Sequence, residues 1–213
     1  YRTRSVEAPL KETLAAGLIL LSYWNKDRLL VDPFCGSGTI PIEAAMIGKN
    51  IAPGLNRNFA SEEWPRVKKE YWREARRQAW DLMHKDVKLK IIGSDIDDEA
   101  IKIAKENAYD IELEEDILFI RKDFRNFEFK DDYGVIICNP PYGERIGERK
   151  EVLKIYKDMG KIFGNLSTYS IYVLTSNEDF ERLYGKKADK KRKLYNGRIK
   201  VNYYQYYGPR PKK

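Results

Sequence analysis

The chain has 213 residues, 42% of them hydrophobic and 34% charged, with a formal net charge of +7. That length is enough for one full-sized domain with its own core, and the positive balance points toward an acidic partner such as nucleic acid, although a solvated lysine-rich surface gives the same sum. Two cysteines, Cys35 and Cys138, and a single histidine, His84, provide no zinc ligand set and suggest a reducing, cytoplasmic compartment.

No secretory signal opens the chain, and its longest apolar run, Leu14 to Trp24, is too short to span a bilayer, so no membrane partner is expected. The chain starts at Tyr1 rather than Met, and further sequence is expected upstream. A helix is predicted from about Pro9, with Leu10, Leu14, Leu18 and Leu21 on one face. Leu29-Leu30-Val31 then reads as a buried parallel strand ending in Asp32, followed by a turn containing Gly36 and Gly38 and a helix from Thr39. Strand, glycine turn and helix open a nucleotide-binding βαβ unit. No Lys-Ser/Thr pair follows the glycines and the three-glycine dinucleotide spacing is absent, so an adenosine cofactor without phosphates fits better.

Asn50 to Trp64 reads as irregular, and about Pro65 to His84 as a long helix. It carries Arg66, Lys68, Lys69, Arg73, Arg76 and Arg77, interleaved with Tyr71, Trp72 and Trp80. A surface helix with its aromatics in the core is favoured over an RNA-contacting face. A second strand ends in Asp95, and a helix follows from Asp98 as N-cap. A third strand, Ile117 to Ile120, is closed by Asp123-Phe124. A fourth, Gly134 to Cys138, runs into Asn139-Pro140-Pro141-Tyr142. Helix Glu151 to Asn165, strand Ser170 to Thr175 and a short helix Glu178 to Tyr184 come next. Lys190 to Tyr207 reads as two strands joined at Asn196-Gly197, a strong hairpin signal. Residues 186–213 hold eleven Lys/Arg against one acid, Asp189. No internal repeat and no domain-splitting linker is visible. The order predicts a mostly parallel sheet with a final antiparallel hairpin.

Four polar residues, Asp32, Asp95, Asp123 and Asn139, fall at the carboxyl ends of successive strands, where open α/β sheets bind ligands. Asp95 can accept from both ribose hydroxyls. Asp123 can accept from an adenine amine with Phe124 packed on the ring. Asp32 either orders the glycine turn or faces a positive end of the cofactor. The Asn139 side-chain oxygen and the Pro140 carbonyl, held by a proline-stiffened turn, form two close acceptors for the hydrogens of a planar NH₂ group. Holding them out of the conjugated plane frees the nitrogen lone pair to attack an electrophilic methyl, with Tyr142 stacked on the base. Cys35 and Cys138, near the ends of adjacent strands, read as small buried fillers rather than a redox pair.

The motifs Asp32-Pro33-Phe34-Cys35-Gly36-Ser37-Gly38-Thr39, Gly93-Ser94-Asp95-Ile96-Asp97 and Asn139-Pro140-Pro141-Tyr142-Gly143-Glu144-Arg145 resemble those of the class I S-adenosylmethionine-dependent methyltransferases. The stretches 8–16 and 51–55, with Trp64 shortly after, resemble the bacterial large-subunit rRNA guanine-N2 methyltransferases that carry a THUMP RNA-binding domain ahead of the catalytic one. The resemblance runs from Tyr1 to about Ser176, so residues 1–213 are expected to be a catalytic domain without the THUMP domain. It implies a Rossmann-like fold, a seven-stranded sheet with an antiparallel last strand and helices on both faces. It implies S-adenosyl-L-methionine as cofactor, bound by Asp32, Phe34, Gly36, Gly38, Thr39, Asp95, Ile96, Asp123 and Phe124, with catalysis by Asn139, Pro140, Pro141 and Tyr142. It further implies an RNA partner and no metal; in that topology the sixth strand ends at the rim of Asn139, which puts Lys191, Arg192, Lys193, Arg198 and Lys200 within or near the rim where RNA is expected to pass.

Asn-Pro-Pro-Tyr also occurs in adenine-N6 DNA and protein glutamine methyltransferases, since it reads the shape of the nitrogen and not the base. A DNA enzyme needs a target-recognition insert that is not visible, and a protein-amide enzyme has no use for a basic tail. A catalytically silent RNA-binding module is opposed by the intact motif set.

Overall fold

The computed structural model describes residues 10–129, 131–143 and 149–211. The helix start at Pro9 and the Glu144-Arg145 part of the third motif lie outside these residues.

Five short strands are apolar because they are covered on both faces. Leu30–Asp32 (β1), Val135–Cys138 (β4) and Ser170–Thr175 (β5) are buried at every position, while Ile91–Asp95 (β2) and Ile117–Arg121 (β3) open toward one edge. They are mutually parallel where they pair. Lys190–Asn196 (β6) and Ile199–Tyr206 (β7) form an antiparallel hairpin turned at Gly197-Arg198, and β7 also pairs antiparallel with β5. Among the described residues the sheet has seven strands in the order β3-β2-β1-β4-β5-β7-β6. Because β7 reverses direction and β6 reverses it again, β6 runs with β1–β5, and Asn196 reaches the same rim as Asn139.

Strand periodicity sorts side chains between two cores. Leu30, Ile91, Phe119, Ile137, Leu174 and Tyr203 face helices Glu12–Leu20 (α1), Thr39–Gly48 (α2) and Asp98–Tyr109 (α4). Val31, Ile136, Cys138, Val173 and Tyr204 face Arg149–Phe163 (α5) and Phe180–Tyr184 (α6). On α5 the apolar stripe is Val152, Tyr156, Met159 and Phe163, all buried.

Three expectations are corrected. Leu21 does not extend the buried face of α1; the helix stops at Leu20, and Leu21 is its exposed C-cap. The N-cap of α4 is Asp97, whose carboxylate accepts from the Glu99 amide, and Asp98 is the first helical residue. The basic helix is shorter than predicted, Lys69–Asp81 (α3), and buries no residue. It packs on the 3-10 turn Ala60–Glu63 before it rather than on the sheet, so there is no core to receive its aromatics. Tyr71 and Trp80 are exposed, and Trp72 stacks on Phe59 with ring centroids 5.5 Å apart. Three of its four cations are matched by acids: Arg76 with Glu62 at 2.8 Å, Arg77 with Glu74 and Asp81 at 2.8 and 2.9 Å, and Lys69 with Glu63 at 3.4 Å.

Candidate active site at the carboxyl ends of the strands

Everything that positions the site starts at the end of β1. The Asp32 Oδ1 accepts the Phe34 amide at 3.1 Å, which turns the chain directly after the strand. The Cys35 amide donates to the Ser94 carbonyl at 2.9 Å, and the Gly36 amide donates to Asp95 Oδ2 at 3.0 Å. The turn is therefore tied to the end of β2. Gly36 takes a φ of 50° and Gly38 one of 83°, backbone that L side chains rarely adopt. A Cβ on Gly38 would also sit 2.9 Å from the Phe119 ring and 3.0 Å from Ala104, so α2 can enter this close to β3 and α4 only from glycine. Buried Asn107 of α4 donates to the Ser37 carbonyl at 3.0 Å and closes the turn from below.

A cavity of about 620 Å³ opens above these strand ends. Its walls bring together Asp32, Phe34, Gly36 and Thr39 from the first motif and Asp95, Ile96, Asp123 and Phe124 from the next two strand ends. Asn139, Pro140, Pro141 and Tyr142 complete it from the end of β4. Gly38 is not in the wall; its part is the helix entry. None of Lys191, Arg192, Lys193, Arg198 and Lys200 reaches the cavity, but their neighbours Asn196 and Ile199 do. A groove of similar size, about 630 Å³, lies between α4 and β3 and contains none of the strand-end residues. Among the described residues no cluster of three or more His, Cys, Asp or Glu side chains could hold a metal, and no helix is long and apolar enough to cross a membrane.

The electrostatics of the cavity are set by burial. Asp32 is 1% exposed, and desolvation holds its carboxyl well above the usual range; the Phe34 amide offsets part of this, and the Asp95 charge adds to it. Burial likewise pushes the Cys35 and Cys138 thiols up, reinforced by the Asp32 charge, so both are neutral fillers, Cys35 in the turn after β1 and Cys138 at the end of β4. Asp123 is more engaged than expected. Its Oδ1 caps the following 3-10 turn by accepting the Arg125 amide at 2.9 Å, and its Oδ2 accepts from Arg125 Nη1 at 2.8 Å. Arg125 Nε donates to Asp158 of α5 at 2.8 Å. Phe124 is buried, its ring against Phe34 at 4.9 Å and Phe163 at 5.9 Å, whereas Ile96, which lines the same cavity, is exposed.

At the end of β4 the Tyr142 hydroxyl donates to Asn139 Oδ1 at 2.5 Å. The Tyr156 hydroxyl of α5 donates to the Pro141 carbonyl at 2.8 Å and lies 2.8 Å from the Thr175 hydroxyl at the end of β5. Burial pushes the Tyr156 phenol up to about 12, so it remains a donor at any physiological pH. Sequence reasoning missed Arg125 and Tyr156. For Tyr156 a signal existed in its place on the apolar stripe of α5, but a hydroxyl in such a stripe does not reveal its partner.

Strand order, the glycine turn and the strand-end acids together define a Rossmann-like methyltransferase fold. The RMKL-like methyltransferase domain matches residues 1–205, and the chain belongs to that family. YpsC of Bacillus subtilis, whose name carries a provisional RNA methyltransferase assignment, is 53% identical over 207 residues, covering 97% of this chain and 54% of YpsC. The ribosomal RNA large subunit methyltransferase K/L of Shewanella woodyi is 39% identical over 212 residues, 97% of this chain and 30% of that protein. The crystal structure of SMU.472, provisionally assigned as a methyltransferase and complexed with SAH, aligns at a TM-score of 0.94 and 48% identity, covering 99% of this chain and 56% of the other. The chain spans about half the length of YpsC and under a third of the K/L protein.

The buried Asp32 carboxyl makes a testable demand. An unfolded Asp titrates near ~3.9. The folded value is higher, so the folded state binds more protons between the two, and stability falls as pH rises through that window. Asp32→Asn keeps the acceptor for the Phe34 amide and removes the buried charge. Its melting temperature in the absence of ligand is expected to exceed that of the wild type at pH 8, with the difference shrinking toward pH 4. An equal or lower value at pH 8 would show that the carboxylate is not a burden on the free fold.

Proposed function

We propose that this chain is the catalytic part of an S-adenosylmethionine-dependent RNA methyltransferase, acting in the cytoplasm on the exocyclic N2 amine of a guanosine in large-subunit rRNA. One observation carries the reading: the strand-end acids Asp32, Asp95 and Asp123 and the Asn139–Tyr142 acceptor turn open into the same cavity. The named RNA substrates of YpsC and the K/L protein support the choice of polymer.

The residues present fit the cofactor. A volume of about 620 Å³ lies within the range of nucleoside-sized ligands. Asp32 is buried with no cation among its partners, which suits a sulfonium or ammonium charge. Asp95 spends one lone pair of each oxygen on the Gly36 and Asp97 amides and keeps the others for ribose hydroxyls. Ile96 and Phe124 supply apolar walls for the adenine, and Asp123 retains acceptor capacity for its amine. Arg125, the one cation among the described wall residues, is held by Asp123 and Asp158, so no free guanidinium awaits a phosphate.

When bound, S-adenosylmethionine supplies an electrophilic methyl group. The chain's own contribution is positioning and fixed dipoles. Asn139 Oδ1, keeping a second lone pair beside the Tyr142 hydroxyl, and the Pro140 carbonyl accept the two hydrogens of the target amine. The Tyr142 ring lies against the base. Tyr156 fixes the Pro141 carbonyl and with it the direction of the turn. The amine is neutral, so no general base is needed before attack.

The RNA path follows the hairpin. Lys191, Lys193 and Lys200 share one face of β6–β7, since their cross-strand partners are Tyr204, Asn202 and Tyr195. Arg192 points to the other face. Lys191 covers the Tyr204 ring at 4.9 Å, Lys193 covers Tyr195 at 5.5 Å, and Lys200 pairs with Glu178 at 2.8 Å. Lys193 and Arg198, nearest the rim without an acidic partner among the described residues, are the strongest phosphate contacts of the set.

Asn139→Ala is expected to lower methyl transfer to rRNA by at least about 100-fold, the scale of losing one fixed electrostatic contact, while S-adenosylhomocysteine affinity measured by calorimetry stays near wild type. Turnover at the wild-type level would refute the paired-acceptor mechanism. The double variant Lys193→Glu, Arg198→Glu is expected to weaken RNA binding and to flatten its salt dependence by about 0.7 in log-log slope per lost contact. An unchanged slope would make the hairpin charge a solubility feature.

A further inference from the structure

The catalytic turn reads an amine, and three of the nucleic acid bases carry one. What separates them is the ring nitrogen beside it. Guanine N1 bears a hydrogen, whereas adenine N1 and cytosine N3 present a lone pair. A carboxylate next to the amine pocket would accept from the first and repel the other two.

Among the described residues four carboxylates line the cavity: Asp32, Asp95, Asp123 and Glu151. The first three are engaged, with the Phe34 amide, the Gly36 and Asp97 amides, and Arg125 respectively. Glu151 accepts from no described residue and is exposed. Its place in the fold ties it to the target end. The first turn of α5 packs directly on the residue after Tyr142: a Cβ on Gly143 would sit 3.3 Å from Val152 and 3.5 Å from the Arg149 backbone. Helical phase puts Val152 and Tyr156 into the core and turns Glu151 and Ile155 together to the cavity wall. Seven residues further along the same helix, roughly 10 Å away, Asp158 holds Arg125 at the adenine end. So α5 spans the cavity, with Glu151 at the end where Asn139 sits.

A carboxylate here, with no partner among the described residues, also opposes the approach of a polyanion, in a chain that is otherwise strongly basic. A first-turn acid gains from the helix dipole, but that gain needs no place in the cavity wall. We propose that Glu151 is the specificity-determining residue for the base: its carboxylate accepts the N1 hydrogen of guanine while Asn139 and Pro140 hold the 2-amine. The inference rests on the guanine-N2 reading above and adds the group that enforces it.

The test compares an RNA hairpin containing the guanosine that the wild type methylates with the same hairpin carrying 2-aminopurine there. This analogue keeps the 2-amine but has no hydrogen on N1. It also lacks O6, a difference common to every protein variant and therefore cancelled in the comparison. The wild type is expected to prefer guanine in kcat/KM by about 10- to 100-fold, the range of one hydrogen bond to a charged group. Glu151→Ala is expected to lose the preference by slowing on guanine, with S-adenosylhomocysteine affinity unchanged as proof of folding. Glu151→Gln, which keeps an acceptor and adds a donor for a bare N1, is expected to narrow it. Guanine preference at the wild-type level in both variants would overturn the role of Glu151. Failure of the wild type to methylate any rRNA guanine, or methylation of adenine instead, would overturn the guanine-N2 reading and the inference with it.

Discussion

The Asp95 carboxylate, by accepting the Gly36 amide with one oxygen and the Asp97 amide with the other, holds the turn after β1 against the turn after β2. The bond from the Cys35 amide to the Ser94 carbonyl runs beside it. These bonds let a three-residue strand end in a left-handed glycine turn and still present a defined floor to the cavity. They also set a second acid, Asp32, close enough for the Asp95 charge to raise its carboxyl further. Burial beside the Asp95 charge leaves the Asp32 carboxylate of the free fold without compensation for its lost hydration. A cationic ligand removes that cost, so the tension in the empty site and the preference for the cofactor have one origin.

Helix α5 does for the other half of the cavity what Asp95 does for the first. Its apolar stripe anchors it under β4 and β5, and from that anchored position it extends polar groups to both ends of the site. Tyr156 reaches Pro141 and Thr175; Asp158 reaches Arg125 and through it Asp123. The Asn139–Tyr142 turn and the Asp123–Phe124 wall are therefore braced by the same rigid element. This is the support that placement of an amine against a methyl donor requires, since small displacements of reacting groups are costly.

The parallel strands were legible because burial on both faces leaves an unbroken apolar run whose first polar residue marks the rim. Leu29-Leu30-Val31 before Asp32 and Val135 to Cys138 before Asn139 show this directly, and Ser170–Thr175 agrees with its predicted bounds. Asn196-Gly197 placed the hairpin to within one residue, its turn falling at Gly197-Arg198, and with it the direction of β6. Side-chain partnerships were not legible, because they are tertiary. Nothing local says that Arg125 will turn back on Asp123, that Tyr156 will meet Pro141, or that an acid at position 151 will face the cavity. In α3 the aromatic spacing suggested a core face, but the segment packs on its own preceding turn and its charges pair locally.

Product analysis decides whether this cavity delivers a methyl group to the 2-amine of a guanosine in RNA, as we propose. Large-subunit rRNA prepared without its native methylations would be incubated with the chain and methyl-labelled S-adenosylmethionine, then digested to nucleosides and separated by mass. The label is expected in N2-methylguanosine. Label in N6-methyladenosine, or label taken up by DNA or protein but not by the rRNA under the same conditions, would contradict it.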